Sequence, residues 1–141
     1  MFRTILVPVD LDEPDITRFA LERAAKLAEW AGAALRLVNV QRILPENFRD
    51  FVPGDYDERQ QEDAQSRLAA LAARLPVPQE RVSSVVRIGG VYPEVLAEAQ
   101  AWGADLIVIG SHRPAMSTYL LGSNAKTIVR HAKCSVLVLR E

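Results

Sequence analysis

DLIVIGSHRPAMSTYLLGSNAKTIVRHAKCSVLVLR, residues 105–140, reads as strand, loop, helix and strand. Leu106 to Ile109 is a short apolar run rich in β-branched residues, set between Asp105 and Gly110. It is too short for a helix and suits a buried strand. Ser123, directly behind Gly122, stands where a helix N-cap belongs. The helix that follows carries Ala125, Ile128, Val129 and Ala132 at i, i+3, i+4 and i+7, an apolar face for a sheet. Lys126, Arg130 and Lys133 point the other way. Val136 to Leu139 closes the stretch as a second buried strand.

This arrangement suits an anion. A strand that ends in glycine lets a ligand approach the backbone closely. A helix opening at Gly122, Ser123 and Asn124 aims unpaired N–H groups and a partial positive charge at the same place. Charge is distributed accordingly. Residues 110–141 hold five Lys or Arg and one acid, net +4, whereas residues 1–109 hold twelve against seventeen, net −5. Lys126, Arg130 and Lys133 are read as a solvated helix face, and the backbone at Gly122 to Asn124 as the cradle.

Outward from this stretch the pattern repeats. Thr4 to Val9 is an uninterrupted apolar strand of the kind found in a parallel sheet covered on both faces, and it ends at Asp10. Asp10, Asp12, Glu13 and Asp15 surround Pro14, a composition suited to a first helical turn. The helix presents Ile16, Phe19, Ala20, Ala24, Leu27, Ala28 and Ala31 on one side and stops at Gly32. Leu35 to Val40 is the second strand. Residues 41–55, QRILPENFRDFVPGD, form the longest stretch without periodicity, and Phe48, Phe51 and Val52 are expected to pack over the sheet edge. A helix follows from about Tyr56 to Arg74, with Ala64, Leu68, Leu71, Ala72 and Leu75 inward. Arg81 to Ile88 is the third strand, ended by Gly89 and Gly90. A short helix led by Pro93 turns Val95, Leu96, Ala99 and Trp102 inward and stops at Gly103. Strands and helices alternate throughout, the pattern of an α/β, doubly wound five-stranded parallel sheet in one domain, 1–141.

Residues 110–123 resemble the nucleotide-binding signature of the universal stress protein family: glycine, two residues, glycine, nine residues, then glycine and Ser or Thr. Gly110 matches the first glycine and Gly122-Ser123 the closing pair. The middle glycine is missing, because His112 runs directly into Arg113-Pro114, and eleven residues separate Gly110 from Gly122. The SHRP loop and the TYLLGSNA segment are similar to a branch of the family that keeps this shortened loop and includes nucleotide binders. The resemblance implies the strand order 3-2-1-4-5, with helices on both faces and a reversal between the first and fourth strands. Ligands in such sheets sit at the carboxyl ends of strands beside the reversal. It also implies an adenine beside backbone at Val40, with Pro8 and Val9 as part of its wall and Asp10 toward the sugar. Gly110, Ser111 and His112 would line the ribose and phosphate path. Gly122, Ser123 and Asn124 would hold the phosphates, with the Ser123 hydroxyl added. Arg113 either supplies a forked phosphate contact in place of the missing glycine or points to solvent. Ser135 and Val136 follow as weaker matches. The implied ligand is ATP, with AMP or ADP as alternatives, and with Mg2+ where phosphates call for it.

At 141 residues, with 49% hydrophobic and 25% charged residues, the composition is that of a soluble globular domain. A net charge of −1 gives no support to a nucleic-acid binder. The apolar run at the N-terminus is too short for a signal segment, and no run reaches transmembrane length. One cysteine excludes an internal disulfide framework. Together these point to the cytoplasm. Lys126-Thr127 lacks the glycine of a Walker A loop, and no G-x-G-x-x-G follows the first strand. His131 and Cys134 make a poor zinc set, and Ser111, Ser117 and His112 lack a nucleophile elbow.

The leading expectation is an ATP-binding universal stress protein, a nucleotide-responsive regulatory module in the stress response rather than an efficient enzyme, with at most slow hydrolysis or autophosphorylation. A nucleotide-free dimeric interaction module of the same fold is the alternative. A response-regulator phosphoacceptor is disfavoured, since the third strand ends in Gly89-Gly90 where an acceptor Asp belongs. In the implied order the last strand is an edge, and Val136 to Leu139 offers no proline or inward charge to protect it, so a homodimer through that strand is expected.

Overall fold

A computed structural model describes residues 1–110 and 123–140. Its strands are β1 (Thr4–Pro8), β2 (Ala34–Gln41), β3 (Val82–Ile88), β4 (Leu106–Gly110) and β5 (Ser135–Leu139). Its helices are α1 (Pro14–Ala31), α2 (Tyr56–Ala73), α3 (Val91–Trp102) and α4 (Ser123–His131), with short 3-10 turns at Glu46–Phe51 and Gln79–Arg81. The strands form one sheet in the order β3-β2-β1-β4-β5, every neighbouring pair parallel. This is the order that the resemblance implies.

Alternation along each strand divides the core into two layers. Ile5, Val7, Leu35, Leu37, Leu106 and Val108 face α1 and α2, packing on Leu21, Ala24, Ala28 and Leu68. Leu6, Val38, Ile107 and Ile109 face α3 and α4, packing on Val95, Ala99 and Ile128. Every residue from Ile5 to Val7 and from Leu106 to Ile109 is buried, which is why these strands read as continuous apolar runs rather than alternating ones. Each fully buried Leu, Ile or Val stabilises the fold by roughly 1.5–3 kcal/mol.

The helices end as their sequences indicate. Gly32 takes the left-handed conformation at φ 68°, and the N–H of the following Ala33 reaches back to the Ala28 carbonyl at 2.9 Å. Gly103 ends α3 in the same way, at φ 80°. Helix α3 begins at Val91, two residues before Pro93, so the proline falls in the first turn, where a missing N–H costs nothing.

The α3 face also buries a charged group. The Glu98 side chain is 6% exposed and accepts from Arg36 Nη1 at 2.9 Å through Oε2 and from Arg87 Nη1 at 3.0 Å through Oε1. Arg36 lies over the Trp102 ring, and Arg87 donates to Glu94 as well. One carboxylate thus joins β2, β3 and α3.

Three expectations need correction. The last strand, β5, is not a buried strand, since none of its residues is buried and Leu137 is 40% exposed. Phe48 and Phe51 do not pack over the sheet edge; they are 51% and 82% exposed. The 3-10 turn that carries them is held through Phe48 N–H to the Pro45 carbonyl and an Arg49–Asp57 ion pair, and this leaves the rings outside. Val129 is also exposed, because α4 is centred on Ile128 and the next residue is rotated about 100° away.

Candidate functional site

The amino end of the sheet is closed. Asp105, at the entry to β4, accepts the Arg3 and Thr4 N–H groups, and the Thr4 hydroxyl donates to the Gly103 carbonyl at 2.8 Å. The carboxyl end is different. Beyond β1 the chain passes to α1 on one face, whereas α4, beyond β4, lies on the other. The two connections diverge and leave a crevice of about 730 Å³ between them. That volume lies within the range of small-ligand sites.

Seven residues named from the sequence line this crevice: Pro8, Val9 and Asp10 after β1, Val40 at the end of β2, Gly110 ending β4, and Ser123 and Asn124 opening α4. Ser111, His112, Arg113 and Gly122 lie outside the described residues. Ser135 and Val136 are not brought to the crevice. They begin β5 and pair with Leu106 and Ile107, four and three residues before Gly110 on the neighbouring strand. At about 3.3 Å per residue, that places them roughly 10–13 Å away, toward the closed end.

The local geometry explains what each lining residue offers. Pro8 pairs with Val38, whose carbonyl accepts the Val9 N–H at 2.8 Å. Two residues on, Val40 turns its N–H and carbonyl the same way, past the end of β1. The ladder stops there, because the Val9 carbonyl instead accepts from the Asn39 side-chain nitrogen at 2.8 Å. Asn39 is itself held by Gln41 Nε2 at 2.6 Å. Main-chain donor and acceptor groups of Val40 are thus presented to the crevice at the edge of an apolar floor.

Asp10 serves the turn and lines the crevice at once. Its Oδ1 accepts the Asp12 N–H at 2.9 Å, and its carbonyl accepts the Thr17 hydroxyl at 2.7 Å. Gly110 sits where α1 leaves little room. A Cβ there would meet Ile16 Cγ2 at 3.1 Å and Ala20 Cβ at 3.5 Å, so α1 lies directly against the end of β4. Helix α4 is described from Ser123 onward, and the N–H groups of a helix's first turn have no partners within the helix.

Charge across the crevice is divided. Asp10, Asp12, Glu13 and Asp63 lie on the side of the β1–α1 turn and α2, while the opening of α4 brings no acid. Lys126, Arg130 and Lys133 are exposed and do not line the crevice, in keeping with a solvated face. Among the described residues no cluster of three or more His, Cys, Asp or Glu is arranged for a metal ion. Burial pushes the Cys134 thiol above its ordinary pKa, as expected of a packed thiol.

Sequence reasoning missed two contributors. Asn39 is 4% exposed in the middle of LVNV, and a buried amide within an apolar strand is a signal that something polar must be satisfied there. The wall from α2, Gln60, Asp63 and Arg67, gave no such signal, since these residues look like any solvated helix face.

The profile of the universal stress protein family matches residues 1–140. Among curated relatives, universal stress protein G of Escherichia coli O157:H7 is 35% identical over 146 aligned residues, covering 99% of this chain and 100% of its own. A universal stress family protein of Burkholderia pseudomallei, solved by crystallography, is 28% identical with a TM-score of 0.70, covering 96% of this chain and 94% of its own. The universal stress protein of Archaeoglobus fulgidus in complex with dAMP has a TM-score of 0.64 at 22% identity, covering 96% of each chain.

Proposed function

The chain belongs to the universal stress protein family, and on that premise we propose that it binds ATP and acts as a nucleotide-responsive regulatory module. One observation carries the reading. The crevice unites, from distant parts of the sequence, a backbone edge at Val40 that β1 leaves unpaired among the described residues and an acid at Asp10 with the start of α4 at Ser123. An adenine needs donor and acceptor in one plane beside apolar walls, a ribose needs a carboxylate, and phosphates need N–H groups. A fold neighbour solved with dAMP supports an adenine nucleotide as the class of ligand.

In this reading Val40 reads the base edge through its main chain, with Pro8 and Val9 as the wall. Asp10 accepts from ribose hydroxyls. The phosphates rest on the first turn of α4 and the Ser123 hydroxyl, completed by Gly110, Ser111, His112, Arg113 and Gly122. Mg2+ would be held chiefly by the phosphates. Signalling comes from occupancy rather than turnover. Displacement of a fluorescent ATP analogue tests this. ATP, ADP or AMP should compete and GTP should not, and Ser123→Ala should weaken ATP by about three- to tenfold by removing one hydrogen bond to a charged group. Equal competition by GTP would contradict the assignment of the base to Val40.

We also propose that two copies pair through β5. This strand bonds only to β4 among the described residues, and Leu137 on it is 40% exposed. Sedimentation should give a dimer at tens of micromolar. A Leu137→Lys variant should sediment as a monomer, and a wild-type monomer at high concentration would rule the pairing out.

A further inference from the structure

Arg67 projects from the middle of α2 toward the crevice mouth. Its Nη2 donates to the Leu11 carbonyl at 2.8 Å, and its Nη1 lies 3.6 Å from Asp63 on the preceding helical turn. Leu11 sits in the turn between β1 and α1, the turn that presents Asp10. Three hydrogen bonds run within that turn: Asp12 N–H to Asp10 Oδ1, and Glu13 N–H with the Thr17 hydroxyl to the Asp10 carbonyl. Arg67 crosses from α2 to this turn, and both it and Leu11 line the crevice.

The bond does little for stability. The Arg67 side chain is 47% exposed, and an ion pair at such a site contributes almost nothing measurable. Its geometric consequence is larger. Connecting turns lie at the low end of local stability, and a contact from a neighbouring helix shifts such a turn toward its closed form. Binding a sugar through a carboxylate on a loose turn incurs the entropy of fixing that turn each time.

We propose that Arg67 is a positioning residue of the nucleotide site, a clasp from α2 that holds the 10–13 turn so that Asp10 meets the ribose already in place. The proposal rests on the nucleotide reading above. The clasp acts through the Leu11 carbonyl and needs no contact with the ligand.

The test uses the full chain with Arg67→Met, which keeps the apolar stem and removes the donors, and Arg67→Lys, which restores one donor. Three readouts are taken: ATP affinity by calorimetry, amide hydrogen exchange at Asp12 and Glu13 without nucleotide, and thermal midpoint. The Met variant should bind ATP about three- to tenfold more weakly. Its two amides should exchange faster, and its midpoint should stay within about 2 °C of wild type. The Lys variant should recover part of both losses. A Met variant that binds like wild type overturns the proposal. So does one that binds weakly with unchanged exchange, since the loss would then come from a direct ligand contact. A wild-type chain with no affinity overturns the nucleotide reading instead, and that result precedes any variant.

Discussion

Gly110→Val is expected to abolish nucleotide binding, lowering affinity by at least about 100-fold, while costing roughly 1–3 kcal/mol of stability through overpacking. The cause lies at the end of β4. The first atom added to Gly110 already meets Ile16 Cγ2 at 3.1 Å, tighter than ordinary contact, with Ala20 Cβ at 3.5 Å and the Ile16 carbonyl oxygen at 3.5 Å behind it. The tip of Ile16 can give by a few tenths of an ångström, so Gly110→Ala should be mild. Valine adds two more methyl groups with no room toward α1. They must either push α1 outward or enter the crevice that Gly110 and Ile16 both line. Both displacements move the floor on which a nucleotide would lie. Calorimetric titration beside a thermal scan separates binding from folding. A Gly110→Val chain that folds and binds at wild-type strength would show that the end of β4 is not part of the site.

Glu98→Ala should be the most destabilising polar substitution among the described residues. Removing its carboxylate takes the shared partner from Arg36 and Arg87 at once. Loss of one member of a buried ion pair costs about 3–5 kcal/mol. The two guanidinium groups here are 27% and 28% exposed and recover some hydration, so about 2–4 kcal/mol is expected. For a chain of this size that corresponds to a fall of roughly 6–14 °C in Tm. Glu98→Gln keeps the shape and one acceptor and should fall less. Arg87 is also held by Glu94, which limits how far it can relax. A shift below about 2 °C for Glu98→Ala would show that the two arginines find other partners freely.

The layered fold was legible because its central strands are buried on both faces. Runs such as ILV at Ile5 to Val7 and LIVI at Leu106 to Ile109 have no other stable place in a small domain. Gly32 and Gly103 marked helix ends for a reason visible in the chain alone, since glycine adopts φ 68° and 80° without strain. The 41–55 segment was opaque. Its apolar residues suggested packing, but a 3-10 turn fixed by local bonds decided their exposure.

The crevice was partly legible in the same way. Asp10 and Gly110 each follow a strand, and in a parallel sheet all strand ends lie together. The same rule argues against Ser135 and Val136. They begin a strand, so direction alone puts them at the opposite end, whatever the match to the family implies. Asn39 carried a readable signal as a lone amide in LVNV. Arg67 carried none, because its partner is a backbone carbonyl whose nearness depends on how α2 lies across the β1–α1 turn.

The most direct measurement is native mass spectrometry of the freshly purified chain, followed by calorimetric titration of the stripped protein with ATP and Mg2+. The expected result is an adduct of adenine-nucleotide mass, or a saturable titration with one site per chain that is weakened in Ser123→Ala and lost in Gly110→Val. No adduct and no heat with any of ATP, ADP or AMP would contradict the nucleotide reading and leave a dimeric module whose crevice serves another purpose.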